Sequence, residues 1–142
     1  MWDAGLDYGH GTGHGVGALL NVHEGPQRLA TRGSDEPLRI GMIVSNEPGY
    51  YEQGWGGIRL ENLYVVALDE AAPPRSDGKR WLQFKPLTLI PFDKRLIDWG
   101  QLAASERAWL LHYHREVWDN IAPMLQGADR EWLQEACALA QS

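Results

Sequence analysis

The sequence predicts an α+β fold in which a β-rich part, up to about residue 91, is followed by a helical tail. Two observations support this prediction. In the first part, short segments alternate apolar and polar residues with the period of two that is typical of half-buried strands. After residue 105 the apolar residues instead recur at every fourth position, which places them on one face of a helix. We therefore expect an antiparallel sheet first and helices after it.

The glycine-rich start of the chain, residues 1–18, is predicted to be a loop. Five glycines alternate with other residues between residues 9 and 17, and each would destabilise a helix by about 1 kcal/mol relative to alanine. Glycines of this kind let a backbone approach a ligand or another strand closely. A short strand is predicted at 19–23, and residues 27–39 are predicted to form a polar surface loop.

Three further strands are predicted in the β-rich part. The segment 39–47 alternates in polarity, 57–68 is rich in β-branched and aromatic residues, and 81–90 carries spaced apolar residues. A turn at 50–56 and a polar loop at 69–79 are expected to separate them.

Two helices are predicted in the tail. The first covers residues 105–125 and ends at Gly127. Its apolar stripe consists of Trp109, Tyr113, Val117, Ile121 and Leu125. The second helix is predicted at 130–140, with Asp129 as its N-terminal cap.

The composition excludes several classes of protein. The 142 residues are 44% hydrophobic and 23% charged, as in an ordinary globular domain. A formal net charge of −6, without any block of lysine and arginine, argues against a nucleic-acid partner. No apolar run reaches the roughly 18 residues that a membrane span needs. The single cysteine, Cys137, permits no internal disulfide, so we expect a cytoplasmic protein in a reducing compartment.

Three clusters carry side chains capable of chemistry. They are the run from His10 to Gly17 with His23 downstream, the segment 46–51 and the segment 58–62. Glu47 lies at the end of one predicted strand and Glu61 inside another, where a carboxylate must be paired or bound to a cation. With the glycine-flanked His14 they would form a mixed nitrogen and oxygen donor set, which suits Mn²⁺, Co²⁺, Zn²⁺ or Fe²⁺. On the residues alone, solvent-facing glutamates and ordinary histidines remain an open alternative.

Other interpretations of the glycine run fit the residues less well. Val16 stands where the third glycine of a dinucleotide fingerprint belongs, and the lysine of a phosphate loop is missing. His10 and His14 have the spacing of a zincin motif, but Gly11 replaces its glutamate and the glycines oppose its helix. His112 and His114 in the tail are interpreted as ordinary histidines.

Several ordered motifs together resemble the Xaa-Pro aminopeptidases, also called aminopeptidase P. These enzymes belong to the pita-bread metallopeptidases, with methionine aminopeptidase and prolidase. The motifs are Asp7-Tyr8-Gly9-His10-Gly11-Thr12-Gly13-His14-Gly15-Val16-Gly17, Asn21-Val22-His23-Glu24-Gly25-Pro26, Asn46-Glu47-Pro48-Gly49-Tyr50-Tyr51 and Gly57-Ile58-Arg59-Leu60-Glu61-Asn62. Residues 82–142 resemble the extra C-terminal region of the cytosolic three-domain type. The resemblance covers essentially the whole chain.

The resemblance implies a fold and an activity. Residues 1–81 would be the C-terminal half of a pita-bread catalytic domain, a curved antiparallel sheet backed by helices. Residues 82–142 would be a C-terminal region with two helices that contributes to a homodimer. The implied reaction removes an N-terminal residue that precedes proline, with two divalent cations, commonly Mn²⁺, and with Co²⁺ or Zn²⁺ as alternatives. The substrates would be peptides with proline at the second position.

The resemblance also implies roles for individual side chains. His14, Glu47 and Glu61 would bind metal, with Glu61 bridging both ions. Glu47 would also carry a proton to the leaving nitrogen. His23 would contact the substrate carbonyl and the developing oxyanion. Two further residues complete the implied catalytic set: His10, which places substrate or shuttles protons, and Arg59, which orients the site.

One departure from the family pattern limits these expectations. The family's first two metal ligands are aspartates upstream of the His10 motif, and Asp3 and Asp7 are too close to that motif to replace them. The expectation is therefore a C-terminal part whose activity requires an upstream half. The alternative is a non-catalytic fragment or interaction module that keeps the helical surface.

Overall fold

The computed structural model describes residues 1–19, 21–32 and 35–138. Its strands are β1 (Gly13–His14), β2 (Arg28–Leu29), β3 (Ile43–Asn46), β4 (Gly49–Glu52), β5 (Gly56–Arg59), β6 (Asn62–Leu68) and β7 (Leu82–Pro86). Its helices are α1 (Ala104–Ile121) and α2 (Gly127–Cys137), with short 3₁₀ turns at Trp2–Ala4, Lys94–Leu96 and Ala122–Met124. The chain divides into two compact units, Met1–Thr88 and Leu89–Ser142. Strands fill the first unit and helices the second, so the predicted α+β class is confirmed.

The first unit is built on antiparallel pairing. Strands β3, β6 and β7 form one sheet in that order, β4 and β5 form a hairpin, and β1 pairs with β2. A bridge between Gly15 and Val44 sets the chain after β1 beside β3. Val44 and Val66 are the buried apolar side chains between these strands. The glycine-rich segment is thereby held against β3, on the side of that strand away from β6.

The strand predicted at 57–68 is two strands, and this corrects the expected place of Glu61. Strand β5 ends at Arg59 and β6 begins at Asn62, so Glu61 lies in the break and is exposed to solvent. The partner strand explains the break. Pro48 lies opposite it and has no N–H, so only the bond from the Leu60 N–H to the Pro48 carbonyl forms, at 3.2 Å.

Other predicted boundaries in the first unit also change. The strand predicted at 39–47 is confined to 43–46, and the one predicted at 81–90 to 82–86. The described part of 19–23 contains no strand, because turns follow the glycine run there, and Leu20 lies outside the described residues. The regions predicted as loops at 1–18, 27–39 and 50–56 contain the short strands β1, β2 and part of β4. Strands β1 and β2 pair with each other across more than ten residues of chain, whereas β4 pairs with its neighbour β5 in a hairpin.

The second unit packs its two helices around one apolar core. Tyr113, Val117, Ala122 and Leu133 are buried there. Leu89, Phe92, Trp118, Ile121, Leu125 and Cys137 are partly buried against them. The Glu106 carboxylate caps the start of α1 by accepting the Ala103 N–H at 2.7 Å. Trp109 and Trp132, at 47% and 61% exposed, leave the predicted apolar faces only partly covered.

The predicted helix ends were wrong by several residues. Helix α1 ends at Ile121 rather than near 125, because Pro123 lacks an N–H and its ring clashes with the preceding turn. Gly127 does not end α1; it is the first residue of α2. Asp129 therefore lies within the first turn of α2 instead of capping it, and the predicted residues 139–140 lie outside the described residues. None of the described helices is long and apolar enough to cross a membrane.

Candidate functional site

Antiparallel register brings the predicted site residues onto one face of the first unit. Hydrogen bonds from the Glu47 N–H to the Thr12 carbonyl and from the Val16 N–H to the Ile43 carbonyl share one register with the Gly15–Val44 bridge. That register sets His14 beside Ser45. Because alternate residues of a strand point to the same face, Ser45 and Glu47 share a face. The His14 backbone N–H donates to Ser45 Oγ, and Ser45 Oγ donates to Glu47 Oε1, which lies close to His14 Nε2.

Two glycines make this close approach possible. A Cβ atom on Gly13 would collide with the Ser45 carbonyl oxygen, and one on Gly15 would collide with the Glu24 carbonyl oxygen. A side chain at position 13 would push the segment away from β3, and one at position 15 would push it away from the backbone at Glu24. The glycine run predicted as a loop is therefore a tightly packed strand edge that positions His14.

His14 and Glu47 face one another across a short gap. His14 Nε2 lies 3.2 Å from Glu47 Oε1, and the side chains are 21% and 9% exposed. His14 Nδ1 donates to the Gly15 carbonyl at 2.9 Å, so the neutral ring presents a bare lone pair at Nε2. A lone pair and a carboxylate oxygen do not attract each other. Either a proton on Nε2 or a cation shared by the two atoms makes this contact favourable.

Glu47 is held at both carboxylate oxygens. Ser45 Oγ donates to Oε1 at 3.1 Å, and Arg59 Nη1 donates to Oε2 at 3.1 Å. The carboxylate is buried, so these two donors offset part of its desolvation. This holds the plane of the carboxylate with Oε1 turned toward His14.

Arg59 also begins a chain of hydrogen bonds that ends at His10. Its Nε donates to the Tyr51 hydroxyl at 2.6 Å, and that hydroxyl lies 2.6 Å from His10 Nε2. His10 Nδ1 donates to the Gly11 carbonyl at 2.7 Å, so the Tyr51 hydroxyl donates to Nε2. The hydrogen bond to Tyr51, with the nearby charges of Glu47 and Glu61, raises the pKa of Arg59. Arg59 is thus a fixed positive charge.

Glu61 lies across the strand pair from Glu47. Asn46 pairs with Asn62 and Gly49 with Arg59 in one continuous register, which places Glu47 and Glu61 opposite each other at the break. Like charges opposite each other destabilise a sheet unless a positive charge lies between them. Within residues 1–19, 21–32 and 35–138, no three His, Cys, Asp or Glu side chains converge as a metal site. The structure therefore joins His14 and Glu47 and leaves Glu61 exposed nearby.

His23 lies on the other side of the His14 ring. The two ring centroids are 4.2 Å apart with a tilt of 48°, and His23 is exposed. Contacts thus link His14 to His23 and to Glu47, and they link Glu47 through Arg59 and Tyr51 to His10. Glu61 lies opposite Glu47 in the strand register and is exposed. The roles of these residues stay predictions.

The donor set fits a divalent cation. An imidazole Nε2 whose Nδ1–H is tied to a carbonyl, opposite a carboxylate, is the usual arrangement of a metal-binding histidine. Glu61 lies opposite Glu47 in the strand register but does not converge with that pair among the described residues. Imidazole and carboxylate together suit Mn²⁺, Co²⁺, Zn²⁺ and Fe²⁺.

Sequence reasoning missed two residues of this site, Ser45 and Tyr51. Ser45 is fully buried between His14 and Glu47, and Tyr51 links Arg59 to His10. The available signal for Ser45 was its place two residues before Glu47 on one strand, which puts both on one face. Tyr51 has no such local signal, because its partners depend on how the hairpin β4–β5 folds back.

Two family models match the chain. Residues 1–67 match the metallopeptidase family M24, and residues 80–139 match the C-terminal region of peptidase M24. Together they cover both the strand-rich and the helical part.

Curated relatives and a solved structure agree with these matches. Aminopeptidase P2 of Arabidopsis thaliana is 51% identical over 135 residues, covering 94% of this chain and 19% of that protein. The probable Xaa-Pro aminopeptidase P of Laccaria bicolor is 47% identical over 143 residues, covering 97% of this chain and 22% of that protein. The chain thus spans about a fifth of the length of the curated relatives it matches.

The solved structure is X-prolyl aminopeptidase from Caenorhabditis elegans, described as a cytosolic enzyme with a di-nuclear active site. Its TM-score is 0.82 at 37% identity, and the match covers 98% of this chain and 23% of that one. The fold is therefore the expected one, the C-terminal portion of a pita-bread fold followed by a helical region.

Proposed function

The chain belongs to the metallopeptidase family M24, and from this premise we propose that it forms part of an enzyme that hydrolyses the bond between an N-terminal residue and a following proline. The names of the relatives support the substrate class, peptides with proline at the second position. One observation carries the chemistry: the His14 lone pair at Nε2 faces Glu47 Oε1 at 3.2 Å. A cation shared by these two atoms would make that contact favourable.

The proposed cofactor is a pair of divalent cations, with Mn²⁺ as the ion and Co²⁺ or Zn²⁺ as substitutes. His14 and Glu47 would hold one ion, and Glu61 would bridge to the second. When bound, such ions polarise a scissile carbonyl and increase the acidity of the attacking water. Only two donors converge among the described residues, so we propose that further ligands come from outside this chain and that activity requires them.

Glu47 and His23 would act on the reacting atoms. Glu47 would take the proton of the attacking water at Oε1 and return it to the leaving proline nitrogen. Proline makes a poor leaving group until its nitrogen is protonated, so this transfer is needed. His23 is exposed beside His14, where it would donate a hydrogen bond to the developing oxyanion.

His10 and Arg59 would support those steps from the rim of the site. Arg59 keeps Oε2 of Glu47 occupied, so that Oε1 stays available to the reaction. Through Tyr51, the fixed charge of Arg59 also polarises the hydroxyl that donates to His10. A polarised donor of this kind places His10 for binding substrate or for moving a proton.

We propose the same division of labour along the chain that the family implies. Residues 1–81 would belong to the catalytic domain, and residues 82–142 would form a homodimer contact in the cytoplasm. The exposed tryptophans Trp109 and Trp132 support a contact surface, since aromatic residues are enriched at interfaces. The cytosolic relative supports the location. An interaction module without catalysis is the competing proposal, and the same two tryptophans favour it.

The deciding experiment is hydrolysis of an Xaa-Pro peptide with added Mn²⁺, with and without EDTA. The 142-residue chain and a longer natural protein that contains it should be assayed in parallel. We expect chelator-sensitive turnover by the longer protein only. Turnover by neither protein, with both folded, would favour the interaction module. Turnover by the short chain would mean that no ligands from outside are needed.

A further inference from the structure

We propose that Ser45 is the positioning residue that sets the geometry between the two metal donors His14 and Glu47. This inference rests on the proposed function and names a residue that the family's implied ligand set does not include. Ser45 is completely buried and touches both donors at once. Its role would be to fix where they stand, without touching metal or substrate itself.

The position of Ser45 follows from two strand relations. It precedes Glu47 by two residues on the same strand end, which places both side chains on one face. It also lies beside His14 in the register that joins the glycine-rich segment to β3. One side chain can therefore reach the backbone of one donor and the carboxylate of the other.

The direction of the Ser45 hydroxyl proton is determined by its neighbours. Ser45 Oγ accepts the His14 backbone N–H at 3.0 Å, which occupies a lone pair and cannot involve the hydroxyl proton. The proton is left for Glu47 Oε1, an acceptor at 3.1 Å. The order from donor to acceptor is thus His14 N–H, Ser45 hydroxyl, Glu47 carboxylate. Shifting His14 would disturb Glu47 through this hydroxyl, and the reverse also holds.

This arrangement selects the carboxylate oxygen that meets the imidazole. Arg59 holds Oε2 by a hydrogen bond. Ser45 holds Oε1 by another, at the position where Oε1 lies 3.2 Å from His14 Nε2. Without Ser45, the carboxylate keeps only the half-exposed Arg59 and can rotate about its last bond. Partners of this kind orient metal ligands, and their loss typically lowers metal affinity about 10–100-fold.

The test is Co²⁺ titration of a longer natural protein that contains this chain, followed by the visible absorption of the bound ion. We expect Ser45→Ala to bind Co²⁺ about 10–100-fold more weakly and with an altered spectrum. Ser45→Thr, which keeps the hydroxyl, should restore affinity and spectrum. If Ser45→Ala does not fold, Ser45→Val compared with Ser45→Thr gives the decisive comparison, because the two side chains have nearly the same shape and only threonine carries the hydroxyl.

Thr88→Ala is the matched control. Thr88 Oγ1 accepts the Leu63 backbone N–H at 2.9 Å in the same unit, so this variant also loses an acceptor for a strand N–H. Its hydrogen bond reaches β6 and not the segment that carries Glu47, so Thr88→Ala should bind Co²⁺ as the wild type does. Equal affinity in Ser45→Ala and wild type would overturn the inference and leave the proposed function standing. If the folded wild-type longer protein binds no Co²⁺, both the inference and the proposed function are overturned, because no donor pair would then need positioning.

Discussion

Replacing Glu47 by glutamine should separate the stability of the fold from its capacity to bind metal. Glu47 has three close neighbours: Ser45 at 3.1 Å, Arg59 at 3.1 Å and His14 Nε2 at 3.2 Å. An amide NH₂ at the Oε1 position would donate to the His14 lone pair, a gain of about 1 kcal/mol net. The same NH₂ cannot accept the hydrogen bond that Ser45 Oγ donates to Oε1, and the loss of that bond costs a similar amount. The free energy of unfolding without metal should therefore change by less than about 1 kcal/mol.

Metal binding should respond very differently to Glu47→Gln. The substitution removes the negative charge from one of the two converging donors and turns a hydrogen toward the ion. We expect Co²⁺ affinity to fall at least ~100-fold, or about 2.7 kcal/mol of binding free energy. Urea unfolding in EDTA measures the free energy of unfolding without metal, and Co²⁺ titration of the same sample measures the metal affinity. A loss of more than about 3 kcal/mol in EDTA would mean that Glu47 is chiefly structural, as expected for a broken buried pair. Unchanged Co²⁺ affinity would refute the donor assignment.

Three further predictions concern the rest of the molecule. In a longer active protein, Glu61→Ala should abolish Xaa-Pro hydrolysis, and activity within about tenfold of wild type, a loss of ~1.4 kcal/mol, would contradict the bridging role. Tyr51→Phe breaks the link from Arg59 to His10 while keeping the ring, so kcat should fall and its pH profile should shift, with Co²⁺ affinity unchanged; an unaltered pH profile would count against the link. Trp132→Glu places a charge on the exposed tail surface, so a dimer in sedimentation should become a monomer, and an unchanged sedimentation coefficient would exclude Trp132 from the interface.

Some features of this fold depend on residues that are adjacent in sequence, and others depend on contacts between distant segments. The two helices and the strands β3, β6 and β7 were predictable, because the spacing of apolar residues within each segment indicates its secondary structure. The break before Glu61 was not, because it depends on Pro48 in the opposite strand. The early end of α1 shows a local conflict: the apolar stripe continues to Leu125, but the backbone chemistry of Pro123 overrides it.

For the candidate site, too, the residue types could be predicted from the sequence and their geometry could not. The residue types of His14, Glu47 and Glu61 suggested a metal, and the motifs supported that suggestion by resemblance. The mutual geometry of the donors could not be predicted, since His14 and Glu47 meet only through the register between β3 and the glycine run. Ser45 and Tyr51 joined the site for the same reason. Residues that hold a site together are defined by pairing across strands, which no single segment of sequence records.

A buried histidine in the helical unit should make that unit sensitive to mild acid. His114 is 1% exposed, and its Nε2 accepts the Phe92 N–H at 3.1 Å, so the folded state requires the neutral ring. Among the described residues, its Nδ1 meets no acceptor with hydrogen-bond geometry, although the carbonyls of Ala136 and Cys137 lie near enough to favour the charged form somewhat. Burial outweighs them and, with a smaller effect from Lys94, lowers the pKa of His114.

The sign of the pH dependence follows from that shift. Because the pKa of His114 is lower in the folded than in the unfolded chain, the unfolded chain binds the proton first as pH falls. Stability is therefore fully present above the ordinary histidine pKa of about 6.5 and decreases below it. His114→Gln, which cannot titrate, should flatten the dependence of urea midpoints between about pH 7.5 and 5 relative to wild type. The exposed His112 offers the control, since His112→Gln should keep the wild-type slope. A wild-type slope in His114→Gln would show that the carboxylates, and not this buried ring, control the acid response.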